Sequence, residues 1–215
     1  DYLKNEYKDV VSTVIAYGTN PVSEKGHVDL SWFNKYDVQP KGYYLVVGRF
    51  VPENNYEAII RNYMLSDTKR DLVIITNHQD DPYFDKLRQL THFDQDKRIK
   101  FVGTVYEKSL LVAIRQNAFA YIHGHAVGGT NPGLLEAMSL TDLNLVFDVN
   151  FNHNVALDSA LYWQADTLVD LIQKSEQLDN IAIATLAKKA RTIISNNYMW
   201  YQIVNRYERL FLNES

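Results

Sequence analysis

The segment His125-Ala126-Val127-Gly128-Gly129-Thr130-Asn131-Pro132-Gly133-Leu134-Leu135-Glu136-Ala137-Met138 has the residue types needed to hold a small anion together with hydroxyl groups. Gly128 and Gly129 let backbone approach a ligand closely, and Pro132 suits the first turn of a helix, where its missing N–H costs nothing. Unpaired N–H groups from Thr130 to Leu134, with the positive end of the helix dipole, then favour a phosphate. Glu136 stands about one turn further in. A carboxylate beside a phosphate is understandable when it accepts hydrogen bonds from hydroxyls of the same ligand, as on the ribose or hexose of a nucleotide sugar. The plain alternative is a glycine-rich turn ending in a helix cap, because short motifs recur by chance.

Other chemistry-bearing residues fall near strand ends. His123 and His125 have His-x-His spacing, which can seat a metal, but no carboxylate lies near them in sequence, so one of them lining the sugar or phosphate pocket is the better reading. Asn77 and His78 follow one strand and suit a turn, while Asn152 and Asn154 follow another and could reach a sugar. Asp80-Asp81-Pro82 reads as a turn and helix cap, and no Asp-x-Asp metal signature is present.

The elements that must position these groups alternate. Apolar strand-like runs at Tyr43 to Val47, Leu72 to Ile75, Ile99 to Val102, Ala118 to Ile122 and Leu145 to Phe147 are separated by helix-like stretches. These are Tyr56 to Leu65, Tyr83 to Leu90, Ser109 to Gln116 and Pro132 to Ser139, each with apolar residues three and four apart. That rhythm predicts an α/β fold, a Rossmann-like doubly wound parallel sheet whose ligands bind at the carboxyl ends of the strands. Residues 1–40, with a short strand-like Thr13 to Tyr17 and a loop holding Gly18, Pro21 and Gly26, read as a connector and the remnant of a partner domain. The nucleotide-binding domain would span 41–197. Two amphipathic C-terminal helices are expected at Ala182 to Ile194 and Tyr198 to Leu212, the stretch 198–215 packing toward that partner domain.

Composition narrows the class. The chain has 215 residues, 46% hydrophobic content, no cysteine and a formal charge of −4. This excludes disulfides and thiolate chemistry, argues against a nucleic-acid binder, and suits a cytoplasmic protein. Apolar runs are far shorter than the roughly 20 residues that span a bilayer.

Four ordered signatures, Gly48-Arg49-Phe50-Val51-Pro52-Glu53-Asn54-Asn55, Ile99-Lys100-Phe101-Val102-Gly103, Gly128 to Met138, and Tyr198-Met199-Trp200, resemble the carboxyl-terminal domain of retaining GT-B glycosyltransferases of family 4. VGRFVPENN with GGTNPGLLEAM looks, more narrowly, like bacterial rhamnosyltransferases of capsular or cell-wall polysaccharide synthesis. The resemblance implies one half of a GT-B fold that binds a nucleotide-diphosphate sugar, best guessed as dTDP-rhamnose. Its L-rhamnose would pass with retention of configuration to a polysaccharide or lipid-linked acceptor held by an amino-terminal domain. It further implies that these 215 residues alone bind donor without transferring sugar, and that the enzyme works in the cytoplasm, peripheral at the inner membrane face where its acceptor is lipid-linked, with no metal or other cofactor.

By the same resemblance Arg49 stabilises the leaving diphosphate, and the donor is bound by Gly48, Arg49, Asn54, Val102, Gly103, His123, Gly128, Gly129, Thr130, Asn131, Leu134 and Glu136. The loop from Phe101 to Tyr106 would meet the nucleobase. Two departures stand out: Asn54 occupies the place of the family's lysine, and Gly128 that of its first glutamate, Glu136 matching the second. A GT-B nucleotide-sugar 2-epimerase and a non-catalytic nucleotide-sugar-binding module are the rival readings.

Overall fold

The computed structural model describes residues 13–20 and 30–212. Expectations that fall on residues 1–12, 21–29 and 213–215 lie outside them.

Six strands form one parallel sheet: β1 (Tyr43–Val47), β2 (Asp71–Ile75), β3 (Ile99–Gly103), β4 (Ala120–His123), β5 (Asn144–Phe147) and β6 (Leu161–Trp163). Helix α1 (Leu30–Lys35) precedes the sheet. Between and after the strands come α2 (Tyr56–Leu65), α3 (Pro82–Thr91), α4 (Lys108–Asn117), α5 (Pro132–Leu140), α6 (Asn150–Ala156), α7 (Leu168–Glu176), α8 (Asn180–Asn197) and α9 (Trp200–Leu212). The strand order is β3-β2-β1-β4-β5-β6 and every pairing is parallel. Chain order therefore reverses direction between β1 and β4, and the crevice that such a reversal opens beyond the strand ends is where doubly wound sheets bind ligands.

Both faces of the sheet are covered, as the continuous apolar strands require. Tyr44, Val46, Leu72, Ile74, Ala120, Ile122 and Leu145 pack against α2, α3 and α7 on one face. Tyr43, Leu45, Val73, Ile75 and Tyr121 pack with α1, α4 and Ala137 of α5 on the other. Val146 and the inner side of α5 join α6 and α8 in a third cluster. Buried tyrosines find partners for their hydroxyls: Tyr43 donates to the Ile114 carbonyl at 2.5 Å and Tyr121 to the Val47 carbonyl at 3.1 Å.

Helix starts are set locally. The Asp81 side chain accepts from the Tyr83 N–H at 2.8 Å with Pro82 at the first helical position, the cap expected there, and Asn131 with Pro132 repeats the device by accepting from the Gly133 N–H at 2.8 Å.

Several element expectations need correction. Thr13 to Tyr17 is not a strand; the chain there makes a single parallel bridge from Thr19 to Met199, with Tyr17 set edge-on against Trp200 at 4.9 Å. The fourth strand starts at Ala120 rather than Ala118, because Ala118 caps α4 by donating its N–H to the Arg115 carbonyl. The stretch containing α6, β6 and α7 adds elements beyond those expected; β6 has only three residues and carries its identity in pairing, not in pattern. The last helix starts at Trp200 and buries only Ile203 among its residues, leaving Tyr201, Val204, Phe211 and Leu212 exposed. No helix among the described residues is long and apolar enough to cross a membrane.

Candidate nucleotide-binding site

At the reversal between β1 and β4 lies a cavity of about 320 Å³. It is walled by the ends of both strands, the loop after β1 and the first turns of α5. Six of the sequence-predicted residues line it: Gly48, Arg49, Asn54, His123, Asn131 and Glu136. Val102, Gly103, Gly128, Gly129, Thr130 and Leu134 do not. Leu134 turns its side chain fully into the α5–α6–α8 cluster, and its N–H donates to the Asn131 carbonyl at 3.1 Å. The Gly133 N–H is taken by the Asn131 side chain, so the unspent amides at this helix start are the backbone N–H groups of Thr130 and Asn131, which donate to nothing among the described residues.

The loop after β1 is bound to the end of β4 by a lattice of hydrogen bonds. Asn55, in the left-handed conformation at φ 54°, donates its side-chain amide to the Gly124 carbonyl at 2.8 Å, and the Ala126 N–H donates to the Glu53 carbonyl at 2.9 Å. Asn54 donates Nδ2 to the Arg49 carbonyl at 2.7 Å, which leaves its Oδ1 to accept from His125 Nδ1 at 2.9 Å. Asn54 is thus a strut within the loop. The contact is close enough to demand glycine: a Cβ on Gly124 would stand 2.1 Å from the Asn54 carbonyl oxygen.

Arg49, His123 and His125 border the cavity together with Arg115 and Glu136. Arg49 is exposed at its mouth, and its guanidinium makes no hydrogen bond or ion pair among the described residues. Burial, and next the neighbouring Arg49, lower the pKa of His125. His123 is buried, its Nε2 has no hydrogen-bond partner, and burial followed by repulsion from His125 and Arg115 depresses its pKa to about 3, so the ring is neutral.

Arg115, which sequence reasoning passed over, forms part of the same wall. Its side chain is 3% exposed and donates from Nη2 to Glu136 Oε2 at 2.5 Å. It also lines a second cavity, of about 430 Å³, that shares Arg115, Pro132 and Glu136 with the first and extends past Lys108 and Leu111 to Tyr17 and Trp200. The sequence signal for Arg115 is faint, since a basic residue in the last turn of a helix ordinarily complements the helix dipole.

The remaining candidates serve the fold. Asn152 is buried and donates to the carbonyls of His125 at 3.0 Å and Phe147 at 2.9 Å, so it ties loops together instead of reaching outward. His78 packs its ring against Phe84 at 4.7 Å and Phe101 at 5.2 Å. Asn77 and Asn154 are exposed. Among the described residues no group of three or more acidic or histidine side chains could hold a metal ion.

No protein-family model matches the sequence, and no curated protein does. Solved structures do match by shape. Sucrose-phosphate synthase from Thermosynechococcus elongatus superposes with a TM-score of 0.79 at 16% identity, covering 99% of this chain and 55% of that one. HepE from Anabaena in complex with UDP gives 0.73 at 14% identity over 86% of this chain and 52% of its own. The C-terminal domain of a group 1 glycosyl transferase (LpcC) from Francisella tularensis gives 0.65 at 13% identity, with 86% and 97% covered. The chain thus spans about half the length of the first two and nearly all of the isolated C-terminal domain. The six-stranded order, the helices on both faces and these superpositions establish a Rossmann-like α/β fold that corresponds to the C-terminal half of a GT-B structure.

Proposed function

We propose that this chain is the donor-binding half of a glycosyltransferase and takes a nucleotide-diphosphate sugar at the β1/β4 crevice. The observation that carries the reading is Arg49: a guanidinium without a partner among the described residues, lining a cavity that the N-terminal turn of α5 also lines. A permanently charged guanidinium lining the same cavity as the free amide of Asn131, at the start of α5, suits a diphosphate, in the bound donor and still more as a leaving group. The adjoining cavity, sharing Glu136, gives the nucleoside its place, with hydroxyls donating to the carboxylate. Together the two cavities have the size usual for a small-molecule site.

The wider activity follows the resemblance: transfer of a sugar, L-rhamnose from dTDP-rhamnose, to a polysaccharide or lipid-linked acceptor held by a further domain, with retention and without a metal, in the cytoplasm or at the inner membrane face. UDP in the Anabaena structure supports a nucleoside diphosphate as the class of ligand and leaves the base open. One observation favours a second reading, a non-catalytic binding module: Asn54, at the family's lysine position, spends its amide inside the loop and supplies no second cation there.

Calorimetric titration of the chain with dTDP, UDP, GDP and their sugar conjugates tests the proposal. Binding that falls by roughly tenfold to a hundredfold in Arg49→Ala, the loss expected for a hydrogen bond to a charged group, with melting temperature unchanged, supports the site. Equal affinity in Arg49→Ala overturns it. Sugar transfer by a longer chain containing an acceptor domain separates the transferase from the module.

A further inference from the structure

The ring of His125 has neighbours that fix which of its nitrogens carries the proton. Asn54 donates Nδ2 to the Arg49 carbonyl at 2.7 Å, and a carbonyl only accepts, so Asn54 turns Oδ1 toward His125 Nδ1 at 2.9 Å. An amide oxygen is again an acceptor only. His125 Nδ1 therefore carries the hydrogen, and in the neutral ring Nε2 holds a lone pair. Burial, followed by the Arg49 charge, lowers the pKa of the ring against the opposing pull of Glu53, so the neutral form prevails at neutral pH. Nε2 makes no hydrogen bond among the described residues, and the side chain that bears it lines the crevice cavity. Gly128 lies beside it at φ 121°, where a Cβ would stand 3.3 Å from Nε2 and crowd it. Glycine leaves that nitrogen open. Phe151 packs edge-on against the ring at 5.9 Å, and Asn152 donates to the His125 carbonyl at 3.0 Å, so the residue is held from α6 as well as from the loop after β1.

We propose that His125 Nε2 accepts a hydrogen bond from a hydroxyl of the sugar attached to the diphosphate, and that Asn54 is the positioning residue that fixes the imidazole for it. The inference rests on the nucleotide-sugar reading above and deepens it, because an open lone pair selects the chemistry it can meet. Ionised phosphate oxygens are acceptors only and cannot bond to it, so the diphosphate is left to Arg49. A hydroxyl can donate. The neutral ring thus separates a sugar conjugate from the bare diphosphate, although both carry the same nucleoside. His125 is not among the residues that the family resemblance marks. The two positions at which this chain departs from that resemblance, Asn54 in place of a lysine and Gly128 in place of a glutamate, are the two that frame its ring nitrogens.

The test compares dTDP with dTDP-L-rhamnose, and UDP with UDP-glucose, in calorimetric titrations of the 215-residue chain and its variants. His125→Asn keeps an amide N–H near the place of Nδ1, preserving the bond to Asn54, and removes Nε2. It is expected to weaken whichever sugar conjugate the unaltered chain binds more tightly by about fivefold, the loss of one neutral hydrogen bond, and to leave the matching diphosphate within about twofold. His125→Gln sets an amide oxygen near the place of Nε2 and is expected to restore the conjugate. Asn54→Ala releases the ring and is expected to move the ratio of conjugate to diphosphate affinity in the same direction as His125→Asn, carrying the comparison should His125→Asn not fold. A folded His125→Asn that weakens neither ligand, or both equally, overturns the inference. So does a His125→Gln protein no better than His125→Asn, or an unaltered chain that binds the diphosphates and neither conjugate. Absence of binding to dTDP and UDP by the unaltered chain instead removes the nucleotide reading, and the inference with it.

Discussion

Substituting Gly124 by alanine should separate the loop carrying Arg49 from the end of β4. A Cβ at position 124 would lie 2.1 Å from the Asn54 carbonyl oxygen and 2.9 Å from Ile59 Cδ1, whereas ordinary contact begins at 3.4 Å. The two backbones must therefore part by roughly 1 Å, because a packed interior does not absorb such an overlap. Three hydrogen bonds span that contact, at 2.8 Å from Asn55, 2.9 Å from the Ala126 amide and 2.9 Å from His125. Lengthened by roughly 1 Å, they fall outside hydrogen-bonding range. At about 1 kcal/mol each, with about 1–2 kcal/mol for the overlap against Ile59, the loss is about 4–5 kcal/mol. For a domain of this size that corresponds to a fall in Tm of about 8–20 °C. Urea denaturation followed by circular dichroism measures the first figure and a thermal melt the second. Gly129→Ala is the internal control, since a Cβ there meets nothing within 4 Å, and it should stay within about 0.5 kcal/mol of the unaltered protein. A Gly124→Ala protein as stable as the unaltered one, or a Gly129→Ala protein damaged equally, refutes the close-approach argument.

Two further outcomes follow from the same site. His123 titrates near 3 in the folded chain, below its ordinary value of about 6.5, so the unfolded chain binds the extra proton. Stability that is full above pH 6.5 is therefore lost as pH falls toward 3, at a slope approaching about 1.4 kcal/mol per pH unit. Urea titrations between pH 7 and 5, above the range where carboxylates such as Asp142 begin to protonate, should show this slope in the unaltered protein and a flatter one in His123→Gln. Asn54→Ala removes the bonds to the Arg49 carbonyl and to His125; it should lower stability by about 1–2 kcal/mol yet reduce inorganic diphosphate affinity less than Arg49→Ala does, as compared by calorimetry.

Much of the architecture was legible because its causes are local. Short continuous β-branched and aromatic runs bounded by turn residues favour strands buried on both faces, and the Asp81-Pro82 and Asn131-Pro132 pairs carry their capping hydrogen bonds within three residues. The glycine-rich turn with Asn131-Pro132 likewise announced the start of α5, although Gly128, Gly129 and Thr130 themselves stay outside the cavity lining. The stretch from α6 to α7 was not legible, because a three-residue strand has no period to detect and acquires its structure from pairing with β5. The site was legible in part. Arg49, His123 and Glu136 were marked by type and by position at strand ends and a helix start, and they do line one cavity. Amino-acid order could not show that Asn54 braces a loop, that Asn152 faces inward, or that Gly124 touches the backbone seventy residues before it. Nor could it show that Arg115, twenty-one residues from Glu136, holds that carboxylate by one oxygen. Local hydrogen bonding and burial patterns are written along the chain and fix elements and caps. The strand order that brings β1 beside β4, and every pairing made across that seam, come into being only when the sheet closes.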